Sequence, residues 1–246
     1  MTPTATHLRR RNGTETVTQF GKGTIVASRM PEIRITLFLV VSTLLFFVLP
    51  LWAWGSVSGL LAHPARAGTF LAAVAATVAF CFSGTNFATL KWEDRRTRIV
   101  IPAAIAITAP LLFLPAYADR RGIIVFDGDA ARYLGLVVYS VGCVLRIGPM
   151  FTLKNRFRAP WTTQTQHYLV TTGFYRHFRH PSYLGAILGF LGWFLVFRCW
   201  IGFVAGLMLI PLAIPGIRKE ENMLANEFGE EYAAYKKRTW MLPLVR

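Results

Sequence analysis

The sequence predicts an all-α, polytopic membrane protein with about six transmembrane segments, a C-terminal helical hairpin and an amphipathic cytoplasmic helix. Of the 246 residues, 54% are hydrophobic and only 16% are charged, which is less charge than a soluble domain of this length carries. Apolar runs of about 20 residues, long enough to cross a bilayer, recur along the chain. The basic residues are also distributed unevenly between the segments that join these runs.

The apolar runs give the predicted spans. Four are long and two are shorter: 34–57, 68–90, 99–118, 130–152, 183–197 and 200–216. The last two are split only around Arg198-Cys199-Trp200, so we expect a tight helical hairpin. Gly185/Gly189 and Gly202/Gly206 have a spacing that lets two helix backbones approach closely, here within the hairpin.

An amphipathic helix is predicted after the hairpin. Apolar side chains recur on one helical face at Ile217, Leu224, Phe228, Tyr232 and Tyr235. Glu221 falls within this stripe and Glu220 borders it. A carboxylate on a packed face is costly unless a positive group meets it. The alternative is a frayed first turn that leaves both in water, with the helix dipole favouring them; the geometry leaves both interpretations open.

Polar chemistry is concentrated in the C-terminal part. We therefore interpret residues 1–33 as a flexible cytoplasmic tail and 34–246 as a single membrane domain. Within that domain, 34–142 is the membrane scaffold and 143–246 is the region that carries the chemistry. The tail has no apolar core before a small-residue cleavage site, so we do not expect a secretory signal there.

The formal net charge of +15 does not require a nucleic-acid partner, and we expect none. Twenty-one of the 27 Lys and Arg residues fall in residues 1–34, 91–98, 153–182 and the C-terminal stretch. These four stretches share one side of the membrane if the N-terminus is inside. The asymmetry predicts an integral, multi-pass protein with both termini cytoplasmic; we place it in the bacterial inner membrane, where its basic face attracts anionic lipid.

The three cysteines indicate no metal site. Cys81, Cys143 and Cys199 lie in or beside apolar segments and have neither disulfide nor zinc-site spacing. We interpret them as packing residues and expect no metal.

The stretch "HYLVTTGFYRHFRHPSYLG", residues 167–185, is the strongest candidate for a site. Tyr175, Arg179, His180 and Tyr183 cluster directly before a membrane segment. The alternative is a basic juxtamembrane loop, with Pro181 opening the next helix.

Arg146 is a second candidate, because it lies about two turns from the end of the fourth span. An intramembrane Arg marks a functional site by default, and snorkelling to the interface is the alternative.

Together these motifs resemble the isoprenylcysteine carboxyl methyltransferase family, which belongs with the phospholipid methyltransferases. The resemblance covers about 143–243 and depends on the order and spacing of several short motifs. They are Arg146, "MFT" at 150–152, His167, Leu169-Val170, Gly173-Phe174-Tyr175, Arg179-His180-Pro181-Ser182-Tyr183, Glu220-Glu221 and Phe228-Gly229-Glu230-Glu231-Tyr232.

The resemblance implies an S-adenosylmethionine-dependent methyltransferase, of the carboxyl O-methyltransferase type, acting on a lipophilic or prenylated small-molecule substrate at the membrane. It implies a cofactor pocket in which Glu faces the positive groups, and His and Arg face the carboxylate. The cofactor-binding candidates are His167, Leu169, Val170, Gly173, Tyr175, His180, Pro181, Ser182, Tyr183, Glu220 and Glu221. The candidates for the substrate head and catalysis are Arg146, Arg179 and Arg218.

The substrate side departs from the family pattern. An Arg one turn before the first Glu is replaced here by Gly216, with Arg218 about 160° away around an ideal helix. The usual Gln upstream of the His is replaced by Pro160. The alternatives are therefore a phospholipid amine methyltransferase and an NADPH-dependent sterol-type reductase. The reductases usually lack the Glu-Glu pair, so Glu220-Glu221 argues against them. A non-enzymatic scaffold is disfavoured by three polar motifs on one membrane face.

Overall fold

A computed structural model describes residues 33–83, 95–153 and 169–242. His167, Pro160 and the predicted tail up to residue 32 lie outside the described residues. Within them the chain forms seven α-helices and a 3₁₀ turn at Gly173–Arg176. The helices are α1 (Ile33–Trp54), α2 (Val57–Leu61), α3 (Pro64–Phe82), α4 (Arg95–Arg121), α5 (Ala130–Leu153), α6 (Pro181–Val196) and α7 (Trp200–Arg238). The predicted all-α class is confirmed.

The long helices begin and end close to the predicted spans. Three of them, α3, α5 and α7, are long and apolar enough to cross a membrane, whereas α6 and residues 40–54 of α1 are apolar but shorter. The 16 residues of α6 extend about 24 Å at 1.5 Å per residue, which is less than a bilayer core. The fold is that of a membrane protein, and the count of six spans stays a prediction.

The closest helix crossing joins α5 to α6. A Cβ atom added at Gly142 would lie 2.5 Å from the backbone nitrogen of Gly189, and one at Gly185 would collide with the backbone of Arg146. Small residues therefore let these backbones touch, as in other membrane helix pairs. The predicted partner of Gly185 was wrong, because it faces α5 and not the second helix of the hairpin.

The predicted tight hairpin and the predicted close approach at Gly202 and Gly206 agree with the structure. A turn at Phe197–Cys199 joins α6 to α7. Gly202 and Gly206 lie against the ring of Phe194 and the side chain of Leu191 on α6. The two helices of the hairpin therefore meet where large side chains of α6 pack on glycines of α7. Among the described residues, these two helices make no glycine-to-glycine contact of the kind predicted from the spacing.

The last helix changes direction at Gly229. This residue has φ +51° and ψ −120°, a conformation that only glycine adopts easily. In a straight helix Glu221 and Lys236 would be about 22 Å apart along the axis. Their side chains instead meet at 2.8 Å, so the chain folds back after Gly229. Of the predicted apolar stripe, Ile217, Tyr232 and Tyr235 are buried, but the prediction of one continuous helical face was wrong, because the break at Gly229 divides it.

The fold-back brings the end of the chain to the motif stretch. Trp240 pairs with Phe178 in an isolated parallel β-bridge. Met241 and Leu242 are buried in a small core with Ile187 of α6 and Ile217 of α7. The loop, the start of α6 and both parts of α7 therefore form one packed unit at one end of the helices.

A charged cluster lies at the other end. Asp119 of α4 is fully buried and accepts hydrogen bonds from Arg66, Arg132 and Arg198. These arginines come from α3, α5 and the α6–α7 turn. One carboxylate thus ties four parts of the bundle together.

Candidate active site

The loop before α6 is fixed by backbone geometry and by aromatic packing. Gly173 has φ +62°, a left-handed conformation that favours glycine. The ring of Phe174 packs on Gly148 of α5. The carbonyl of Tyr175 accepts a hydrogen bond of 2.7 Å from the Tyr235 hydroxyl. Leu169 and Val170 are half-buried at the start of this loop.

His180 lies between the two adjacent glutamates. Pro181 starts α6 directly after it, as proline does at a first helical position. The His180 Nδ1 atom is 3.8 Å from Glu220 Oε2, and its Nε2 atom is 3.6 Å from Glu221 Oε1. The imidazole is 4% exposed, and Tyr183 packs edge-on against it. The structure therefore brings together four of the residues predicted from the motifs.

The carboxylate of Glu221 is saturated by protein partners. Its Oε1 accepts from Arg179 Nε at 2.6 Å and its Oε2 from Lys236 Nζ at 2.8 Å. Burial acts to raise the pKa of this carboxyl, but His180, Lys236 and Arg179 outweigh it and hold the pKa well below its usual range. This carboxylate has little capacity left for a ligand.

Glu220 has the opposite environment, although it is the next residue. It lies beyond the apolar part of α7 and its carboxylate hydrogen-bonds the side chain of Tyr183. Its Oε2 atom is buried and has no hydrogen-bond partner among the described residues. Burial raises the pKa of Glu220, which His180 only partly offsets. The same carboxylate and burial raise the pKa of Tyr175. The Oε2 atom of Glu220 is therefore available to a positively charged ligand group.

Arg146 reaches the same region from α5. Its Nη1 donates to the hydroxyl of Ser182 at 2.8 Å and to the Ser182 carbonyl at 3.3 Å. The side chain is exposed, and among the described residues it forms no ion pair. Tyr183, next to Ser182, lies close enough to Arg146 and Glu220 to interact electrostatically with both.

Among the described residues, the remaining arginine candidates form no ion pair with Glu220. Arg218 is exposed on α7. Arg179 is buried, and its guanidinium is bonded to Glu221 and to the carbonyls of Lys236 and Thr239. A Cβ atom at Gly216 would lie 3.7 Å from the Tyr183 hydroxyl, so the missing side chain leaves space beside that tyrosine.

Lys236 and Thr239 were missed by the sequence reasoning. Both fall at the end of the predicted amphipathic helix, where basic and polar residues usually face solvent. The available signal was Gly229, since a glycine inside a helical pattern indicates a possible break.

The chemistry of the site fits a cofactor that carries both signs of charge. Six buried side-chain polar atoms have no hydrogen-bond partner within the described ranges, and four of them lie at this site: Arg179 Nη2, His180 Nε2, Glu220 Oε2 and the Tyr232 hydroxyl. Burying such atoms unpaired costs about 1–3 kcal/mol each, and a ligand that meets His180 and Glu220 would recover part of that cost. Within the same ranges no three His, Cys, Asp or Glu side chains are grouped to hold a metal ion.

Comparison with known proteins gives a family for this region. Residues 130–231 match the family model described as phospholipid methyltransferase. This match begins with α5 and ends just after the Gly229 break, so it contains every described candidate residue.

Three relatives illustrate the likeness. The protein-S-isoprenylcysteine O-methyltransferase of Xenopus laevis is 34% identical over 119 residues, which is 43% of this chain and 38% of that protein. The human enzyme of the same name is 34% identical over 109 residues, 42% of this chain and 38% of the relative. Steroid 5-alpha-reductase DET2 of Solanum lycopersicum is 26% identical over 162 residues, 60% of this chain and 59% of its own length.

The family resemblance drawn from the motifs is confirmed for the C-terminal region. The chain covers less than half the length of the methyltransferase relatives it matches. A methyltransferase family implies a methyl donor.

Proposed function

We propose that this relative of the isoprenylcysteine carboxyl methyltransferases is an S-adenosylmethionine-dependent methyltransferase. Its acceptor would be lipophilic and acidic, and most concretely the carboxylate of an isoprenylcysteine-like molecule. The observation that carries the proposal is the buried, unpartnered carboxylate oxygen of Glu220 beside His180 and Tyr183. The proposal includes a multi-pass protein of the bacterial inner membrane.

Opposite charges near Tyr183 support the proposal. Glu220 and Arg146 both lie close enough to this tyrosine to act on it electrostatically, and Arg146 is bonded to the neighbouring Ser182. When bound, S-adenosylmethionine would supply a methyl group on a positively charged sulfonium. Glu220 suits that positive end, since a charge-assisted contact stabilises both partners. Arg146 suits an anionic acceptor head, because its charge meets only the neutral Ser182 in the described structure.

The residues of the site would act by binding and alignment. A carboxylate acceptor is already ionised at pH 7, so no general base is needed. Tyr183 and His180 would hold Glu220 in a fixed place, and the space left by Gly216 would admit the acceptor beside Tyr183. Leu169, Val170 and Tyr175 would offer half-buried apolar surface to the flat part of the cofactor. We propose a binding role for His167 as well, from the motif alone.

Two alternatives are favoured by particular observations. The family description favours phospholipid amine methylation. An amine must lose a proton before it attacks, so that reaction needs a base within reach.

The reductase relative favours an NADPH-dependent enzyme. A 2′-phosphate would then meet Glu220, whose negative charge opposes it, so we favour the sulfonium.

Isothermal titration of the purified protein separates the cofactor classes. We expect S-adenosylmethionine to bind and NADPH not to bind. Binding of NADPH without S-adenosylmethionine would refute the methyltransferase. Methyl transfer from labelled cofactor to farnesylcysteine and to phosphatidylethanolamine then compares the acceptors, and we expect transfer to the carboxylate.

The proposed orientation puts the site on the cytoplasmic side, with both termini inside. A C-terminal tag in intact spheroplasts should resist externally added protease. Cleavage of the tag before the cells are opened would reverse the orientation and separate the site from a cytoplasmic cofactor.

A further inference from the structure

Arg179 connects the start of α6 to both parts of α7. Its side chain is 1% exposed and donates from Nε to Glu221 on the first part of the helix. Its Nη1 donates to the carbonyls of Lys236 and Thr239, which follow the Gly229 break. A guanidinium presents its donors in a rigid fork, so these partners are held in one arrangement.

Lys236 completes a chain of charges. Its Nζ binds the second oxygen of Glu221, while its carbonyl accepts from Arg179. The lysine side chain is half exposed, whereas Glu221 is 7% exposed. The contact between residues 15 apart exists only because the helix folds back, so it holds the fold-back in place.

The backbone reinforces the same junction. The amide of Arg179 donates to the Trp240 carbonyl at 2.8 Å, and the amide of Trp240 donates to the His177 carbonyl at 3.0 Å. Residues 239–242 therefore lie along residues 177–179, one residue before His180. Any loosening of this segment shifts the backbone that carries His180.

We propose that Arg179, Glu221 and Lys236 are positioning residues, which hold the segment 239–242 against the loop and thereby fix His180 and Glu220 in the geometry that binds the cofactor. The identity of that cofactor rests on the proposed function. Glu221 and Arg179 then act through their neighbours and do not themselves touch the ligand. The C-terminal segment 239–242 then supports the residues of the site but does not itself contact the ligand.

The first test needs no ligand. Hydrogen exchange of the full-length protein in detergent is followed at the amides of residues 177–180 and 239–242 in Lys236→Met. We expect exchange to rise about fivefold, the effect of losing one partly buried hydrogen bond to a charged group. The matched control is Arg238→Met on the same helix, an exposed residue bonded to Ala234, which should leave both segments unchanged. Equal exchange in Lys236→Met and wild type overturns the proposal.

The second test measures the dissociation constant of S-adenosylmethionine. Lys236→Met should raise it about fivefold, and Lys236→Arg should restore it. In the Glu220→Gln background Lys236→Met should cause a smaller further loss than in the wild type, because Glu220 no longer contributes and only the contacts of His180 remain to be disturbed. Losses that simply multiply indicate a general structural role and overturn the proposal.

The two tests also separate this proposal from the proposed function. If the wild-type protein binds no S-adenosylmethionine, the proposed function fails and the exchange measurement alone decides the positioning role. If the cofactor binds but exchange is unchanged in Lys236→Met, the positioning role fails and the proposed function stands.

Discussion

Two buried acidic sites lie at opposite ends of α6, and they differ in how completely they are neutralised. Asp119 meets three arginines, and both of its oxygens are bonded. At the other end Glu221 is neutralised in the same way, while Glu220 keeps a buried oxygen without a partner among the described residues. Saturated carboxylates join helices, whereas an unsaturated one is free to bind a ligand.

The comparison predicts its largest effect at Asp119. Asp119→Asn would leave buried arginines without their counter-charge, which typically costs about 3–5 kcal/mol of stability. We expect a markedly lower melting temperature in detergent, measured by intrinsic fluorescence. The control is Asp127→Asn, at an exposed residue in the connection that follows α4. A melting temperature equal to that of the control would show that the cluster does not hold the helices.

Glu220→Gln should weaken cofactor binding without lowering stability, which is the opposite of the effect expected for Asp119→Asn. Loss of one charge-assisted contact of about 1.5–3 kcal/mol predicts roughly ten- to hundredfold weaker S-adenosylmethionine binding by calorimetry. The melting temperature should stay nearly the same, because the Glu220 side chain is 35% exposed and its Oε2 atom accepts no hydrogen bond within the described residues. Glu227→Gln, exposed two turns later, is the control. Unchanged affinity in Glu220→Gln would remove this residue from the cofactor site.

Arg146→Leu should affect the acceptor and not the cofactor. Loss of the guanidinium predicts an acceptor KM raised roughly tenfold or more, with S-adenosylmethionine affinity nearly intact. Arg238→Leu is the control, and Arg218→Leu tests the competing candidate on α7. If cofactor affinity falls together with activity, Arg146 belongs to the cofactor pocket. If neither the acceptor KM nor the cofactor affinity changes, the Arg146 side chain only extends to the membrane interface and has no role in binding.

The smallest predicted effect is on pH dependence. Only the ionised Glu220 attracts a positive ligand, and its pKa is raised above the ordinary value of 4.5. Affinity for S-adenosylmethionine should therefore decline as the pH is lowered from neutral through the acidic range, and the decline should begin at a higher pH than for a carboxyl of ordinary pKa. The pKa of Glu221 is held down, so it stays charged throughout this range.

The Glu220→Gln profile provides the reference for that measurement. All other titratable groups are the same in the two proteins, so the difference between the two profiles isolates Glu220. Parallel profiles would mean that Glu220 does not titrate in this range.

Much of the fold and of the candidate site could be predicted from local patterns. Apolar runs predicted the long helices, since a helix in lipid needs an unbroken apolar length. The apolar stripe predicted that Ile217, Tyr232 and Tyr235 are buried. The motif spacing predicted that His180, Tyr183 and the glutamates meet, because the hairpin returns the chain to the same end.

Tertiary structure alone decided which charges are neutralised. Glu220 and Glu221 are the same residue type one position apart, and the helical pattern placed Glu221 within the apolar stripe and Glu220 at its border without identifying a partner for either. The fold-back at Gly229 brings Lys236 to Glu221, and the start of α6 places Arg179 there, which leaves Glu220 unsaturated. The partner of Gly185 and the cluster at Asp119 were likewise beyond local reasoning. A pattern specifies the face of a helix, but contacts between residues distant in sequence depend on how the chain turns.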